Sequence, residues 1–162
     1  MKTIHNGKQT TEYRAYHNAR NRCLNPRVPK YVIYGARGIE FRFSSFQQFV
    51  EEVGLKPSPR HVLDRINVDG HYEPGNIRWV SPTVSCFNQR IRKDNTSGRK
   101  GITFVPRMKR RPWRARIEVG KEQLHLGYFS TPDEAAEAHR KMTEQIVRYY
   151  WAVEEHIVEG DE

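Results

Sequence analysis

The sequence predicts an α+β protein made of two small modules, the second a three-stranded antiparallel sheet packed on one helix. Three observations predict it. In the last third, three short alternating stretches precede one long stretch with apolar residues at helical spacing. In the first half, two β-type runs separated by a polar loop lead into a capped helix. Between the two lies Asp94-Asn95-Thr96-Ser97-Gly98, a stretch of linker composition. The expected organisation is a module over 1–93, a linker over 94–98, a module over 99–153 and an acidic tail over 154–162.

In the first module, residues 1–9 are polar and expected to be loose. Tyr13, Tyr16, Ala19, Arg20 and Cys23 recur at helical spacing, which predicts a helix from Thr10 or Thr11 to about Leu24, with Thr11 as the cap. Pro26 and Pro29 close it. Tyr31 to Phe43 reads as extended, broken by turns at Gly35 and Gly38. A short helix follows, capped by the serine pair Ser44-Ser45 and ended by Gly54. His61 to Ile66 and Ile77 to Val80 are strands around a polar loop, and Ser81-Pro82 starts a helix expected to reach Lys93.

In the second module, period two places Trp113, Ala115 and Ile117 on one face, with Arg114, Arg116 and Glu118 on the other. The same rule sends Leu124, Leu126 and Tyr128 inward, with Gln123 and His125 outward. Thr131 is the expected N-cap of the last helix, Pro132 suits its first turn, and Asp133 and Glu134 suit its positive end. Ala135, Ala138, Met142 and Ile146 or Val147 supply the apolar stripe.

The 162 residues carry 28 Lys and Arg against 19 Asp and Glu, a formal charge of +9 that favours a polyanionic partner. Both modules are basic; only the last nine residues carry acid without base. Hydrophobic content is 36%, so each core is small. Cys23 and Cys86 are the only cysteines, too few for a four-thiolate zinc site, and both are expected reduced and partly buried. No apolar run approaches a membrane span and no signal core opens the chain, so a soluble cytoplasmic protein is expected.

A sheet that packs one side on a helix turns the other outward, and here that side is cationic. Arginines so placed serve phosphates or guanine edges, although an ordinary solvated face would carry the same charges. Lys100-Gly101-Ile102, Trp113-Arg114-Ala115-Arg116-Ile117, Leu126-Gly127-Tyr128-Phe129 and the Ala135-Ala136 helix resemble the plant ethylene-response-factor (apetala-type) DNA-binding domain over about fifty residues. The resemblance implies that the sheet lies in the major groove of double-stranded DNA. Lys100, Thr103, Arg114, Arg116, Gln123 and His125 stand at its contact positions, with Arg107 in the same basic cluster. Thr103 replaces an arginine of the plant pattern and His125 a tryptophan, so base preference does not carry over.

In the first module, Asp64 at a strand end, Asn76 before the second strand and Asn88 on the helix form an ordered constellation. A hairpin followed by a helix can hold one divalent metal between a strand carboxylate and a helical amide, beside a phosphodiester. Asn76 need not touch the metal, because its amide can brace the loop. The run from His61-Val62-Leu63-Asp64-Arg65-Ile66 through Asn76-Ile77-Arg78-Trp79-Val80 to Asn88-Gln89-Arg90 resembles phage HNH endonucleases. These are joined to apetala-type domains, in this order, in homing endonucleases. The resemblance implies a ββα-metal module, DNA cleavage in an infected bacterial cell, and one Mg²⁺ or Mn²⁺ held by Asp64 with Asn88 or Ser85; no structural zinc is expected. Arg65, Arg78, Arg90 and Arg92 would grip the backbone. No small-molecule substrate or membrane partner is expected, and the chain is expected to be a monomer.

One departure matters. Arg65 stands where the HNH pattern has its general-base histidine, and a guanidinium cannot accept a proton from water. His71, Tyr72 and His61 are the candidate substitutes, each more readily read, taken alone, as a surface or loop-packing residue. Asp64 is equally readable as the ion-pair partner of Arg65 or Arg78. The alternative is a catalytically inactive phage DNA-binding or regulatory protein that keeps the fold as a clamp.

Overall fold

The structure, a computed structural model, describes residues 10–159, and the side chains of 10–153. The expected loose segment 1–9 lies outside the described residues, as do residues 160–162. The protein is α+β, and the chain divides into two compact units between Asn88 and Gln89, upstream of the Asp94–Gly98 stretch.

The first unit opens with α1 (Thr11–Leu24), capped by Thr10 rather than Thr11: the Thr10 hydroxyl accepts the Tyr13 N–H at 3.1 Å. Two 3-10 turns, Pro29–Ile33 and Gly35–Arg37, take up much of the segment expected to be extended. Proline presets the first turn, and the N–H groups of Tyr31, Tyr34 and Gly38 each bond the carbonyl three residues back. Only Phe41 pairs, in a single parallel bridge with Tyr72. Ser45 caps α2 (Phe46–Val53) through the Gln48 N–H at 3.1 Å, while the Gln48 side chain returns to the Ser44 N–H at 2.8 Å.

These pieces enclose an aromatic core. Phe49 is wholly buried, and the Tyr16 ring meets Phe41, Phe46 and Phe49 edge-on at 5.1–5.7 Å. The strands β1 (Val62–Arg65) and β2 (Ile77–Val80) form an antiparallel hairpin in which Asp64 faces Arg78 and Arg65 faces Ile77. Helix α3 (Pro82–Phe87) follows directly, capped by Ser81. It ends at Phe87 instead of running to Lys93, because the Asn88 amide turns back toward β1. Neither cysteine is in a disulfide: Cys23 is buried, which pushes its thiol up to about 11, whereas Cys86 is exposed rather than partly buried.

In the second unit, residues 94–98, the expected linker, form a bonded turn. The Ser97 hydroxyl lies 3.0 Å from both Asn95 Oδ1 and the Arg99 carbonyl, which share its single proton, and accepts the Arg99 N–H. Strands β3 (Ile102–Phe104), β4 (Trp113–Val119) and β5 (Glu122–Phe129) form an antiparallel sheet in the order β3-β4-β5. Helix α4 (Pro132–Glu159) covers its apolar face, where Ile102, Ala115, Ile117 and Ala135 are buried. Its backbone runs on through residues 154–159, into the expected acidic tail. Thr131 Oγ1 accepts the Glu134 N–H at 3.2 Å, and the Glu134 carboxylate reaches back to the Ser130 N–H at 3.1 Å.

Two glycines shape this sheet. Gly101, at φ +66°, lies so close to its neighbours that a Cβ would sit 2.3 Å from the Arg116 carbonyl oxygen and 2.4 Å from the His139 ring. Gly127, at φ +130°, sits beside a β-bulge: Ala115 pairs with Gly127 but Arg116 with His125, leaving Leu126 as an extra residue. Leu126 and Phe129 pack on the helix side. Tyr128, opposite Arg114, therefore lies on the open side, contrary to the inward placement that strict alternation predicts.

Candidate nucleic-acid interface and candidate metal centre

The open side of the sheet is ordered in cross-strand rows. Thr103, Arg114 and Tyr128 form one row, Arg116 and His125 the next, Glu118 and Gln123 the last. Arg114, Arg116, Gln123, His125 and Tyr128 line a concavity of about 250 Å³. The His125 and Tyr128 rings meet edge to face at 5.0 Å. Arg116 Nη1 donates to Gln123 Oε1 at 3.3 Å, and Gln123 Nε2 donates to Glu118 Oε1 at 3.2 Å.

Arg114 differs from Arg116. Its Nε is buried and has no hydrogen-bond partner. An unmet buried N–H costs about 1–3 kcal/mol. Sequence reasoning placed Thr103, Arg114, Arg116, Glu118, Gln123 and His125 on this face but missed Tyr128. The available signal was Gly127, since a glycine inside a strand marks a bulge or a close approach. Arg107 is exposed in the Val105–Met108 turn, outside the concavity. Lys100 precedes β3 and is half-buried.

In the first unit, the Asp64 carboxylate is only 12% exposed and collects three donors. Ser85 Oγ reaches Oδ1 at 3.2 Å, while Asn88 Nδ2 at 3.0 Å and Arg78 Nη2 at 3.4 Å reach Oδ2. Asn88 also donates to the Arg65 carbonyl. The hairpin and α3 thus bring together the three side chains expected to hold a metal. Mg²⁺ and Mn²⁺ take hard oxygen donors and keep several waters, so one carboxylate, a hydroxyl and an amide carbonyl suit them. To serve, Asn88 would turn its carbonyl oxygen to the site. Asp64 is the one carboxylate of these three side chains, and among the described residues no group of three His, Cys, Asp or Glu is placed to hold a metal ion.

Asn76 braces the loop. Its Oδ1 accepts the Asn67 N–H at 2.7 Å and its Nδ2 donates to the His71 carbonyl at 2.7 Å. Arg65, expected to grip DNA, is buried instead. Its guanidinium lies 5.0 Å from each of the Tyr34 and Tyr72 ring centres and donates to the Gly70 carbonyl at 2.6 Å. Arg78 is partly buried beside Asp64, Arg90 is half-buried, and Arg92 pairs with Asp94 through two 3.0 Å bonds while remaining 83% exposed.

The three side chains expected as substitute bases differ in their surroundings. Tyr72 is 2% exposed, and burial together with the neighbouring Tyr34 pushes its hydroxyl above the ordinary phenol range. His71 Nδ1 accepts the Glu40 N–H at 3.0 Å, so a neutral ring carries its proton on Nε2 and has no lone pair left. His61 Nδ1 lies 2.8 Å from the Ser58 hydroxyl.

No known protein family, curated protein or solved structure matches this chain. No helix among the described residues is long and apolar enough to cross a membrane.

Proposed function

We propose that this chain is a metal-dependent DNA endonuclease of the HNH homing type, gripping duplex DNA with the open face of its three-stranded sheet. The observation that carries the reading is the row-ordered cationic face, in which Arg114 keeps a buried, unmet Nε beside Arg116. Such a face suits phosphate oxygens and guanine edges. Cleavage is supported by the approach of Ser85 and Asn88 to Asp64. These three would hold a single Mg²⁺ or Mn²⁺, which when bound stabilises negative charge on the scissile phosphate. Asn88 joins β1 to the end of α3, Asn76 holds the loop in place, and Arg78 balances the Asp64 charge from the paired strand.

A second reading is a DNA clamp without chemistry. Arg65, Tyr72 and His71 favour it: the Arg65 guanidinium is packed between two rings, burial raises the Tyr72 hydroxyl above the ordinary phenol range, and the His71 Nδ1 lone pair is taken by the Glu40 N–H. Incubation with supercoiled phage genomic DNA and Mg²⁺ or Mn²⁺ separates the two. Nicking that disappears in Asp64→Ala supports the nuclease. Binding without nicking supports the clamp, and absence of duplex binding removes both.

A further inference from the structure

We propose that Glu118 is a positioning residue for DNA recognition, aiming Arg116 through Gln123. The inference rests on the reading of this face as a duplex-DNA interface.

An acidic side chain on a surface meant for phosphates is a local cost, since it repels the polyanion. Glu118 nonetheless lies on the same side of β4 as Arg114 and Arg116, directly opposite Gln123 on β5. The hydrogen-bond chain gives it a use. Its carboxylate accepts from Gln123 Nε2 at 3.2 Å, and Gln123 Oε1 accepts from Arg116 Nη1 at 3.3 Å. The direction of the amide is forced by its partners. A carboxylate only accepts and a guanidinium only donates, so a flipped Gln123 would lose both bonds. Glu118 thus fixes the Gln123 amide, and the amide fixes one edge of the Arg116 fork.

The other guanidinium N–H groups of Arg116 then leave the sheet in a defined direction. A long cation free to swing would bind any phosphate within reach; a cation held at one edge discriminates between groove edges. Arg114 differs: its Nε is buried and has no hydrogen-bond partner among the described residues. The two arginines therefore differ in kind, although their spacing in the sequence makes them look alike.

The test compares Glu118→Ala with Glu118→Gln in the full chain, using selection from a random-sequence duplex library. The sequence enriched by the wild-type protein, against a scrambled duplex, gives the specificity ratio. Both variants remove the same charge, so relief of repulsion acts equally on both. Only Glu118→Gln keeps an acceptor for Gln123 Nε2. Positioning predicts that Glu118→Ala lowers the ratio about tenfold, the scale of one good base contact, while Glu118→Gln stays within about twofold of wild type. Equal ratios in the two variants overturn the inference and leave DNA binding intact. A wild-type chain that binds duplex DNA but enriches no sequence also overturns it. A wild-type chain that binds no duplex DNA removes the functional reading as well.

Discussion

The guanidinium of Arg65 lies against the face of Tyr72, 5.0 Å from the ring centre, with Tyr34 at the same distance. A fully charged side chain, 6% exposed, is held there by two aromatic faces and the Gly70 carbonyl. Arg65 therefore anchors the β1–β2 loop to the aromatic core. The neighbouring Asp64, one residue earlier on the strand, alternates to the side that faces α3.

Loss of that anchor should be expensive. Arg65→Ala removes a desolvated cation–π arrangement and a charge-assisted hydrogen bond, for an expected loss of about 3 kcal/mol. Urea unfolding of the full chain, followed through the transition of the first unit, measures it. An unchanged midpoint would contradict the anchoring role.

On the second unit, Arg114→Ala combined with Arg116→Ala should weaken duplex binding by about tenfold or more, and each arginine on a phosphate should contribute about 0.9 to the slope of log affinity against log salt. Fluorescence anisotropy over a salt series reads both quantities. Unchanged affinity and slope would take the interface away from this face.

The bulge makes a paired prediction about neighbours in sequence. Tyr128→Ala should reduce DNA affinity while leaving thermal stability close to wild type, because the ring lines the open concavity. Phe129→Ala should do the opposite and cost about 2 kcal/mol, because that ring packs on the helix side. Exchange of the two outcomes would mean that the observed pairing of Arg114 with Tyr128 is wrong.

His139 supplies a pH dependence. Burial, reinforced by the charge of Lys100, lowers its pKa below the ordinary value of 6.5. The unfolded chain thus takes up a proton at a higher pH than the folded one, and stability falls as pH drops below 6.5, levelling off below the folded pKa. Melting of wild type and His139→Gln across pH 7.5 to 4.5 should show a steeper acid loss in wild type. Parallel curves would exclude His139 as the source.

Apart from the α1 cap, which is Thr10 and not Thr11, capping residues and hairpins were legible in the sequence because they rest on local chemistry. Ser45, Ser81 and Thr131 each cap the helix that follows them, and the Trp113–Val119 alternation has the expected inner and outer faces. The early termination of α3 was not legible, since it depends on Asn88 meeting Asp64 and Arg65 from a distant strand. The same holds for Arg65, whose burial requires two tyrosines from separate segments. Tyr128 failed for a different reason: one extra residue shifts the parity of everything beyond it, and period-two reasoning has no memory of such a step.

Leu126 gives the β4–β5 hairpin one residue of slack. Removal of that single codon would let the strand close up with Arg114 still across from Tyr128 and Glu118 still across from Gln123, so no side chain would change sides. The cost would be one apolar contact with the helix and a straighter ribbon. Tolerance of a change in length, more than tolerance of a change in identity, is what this position adds to the fold.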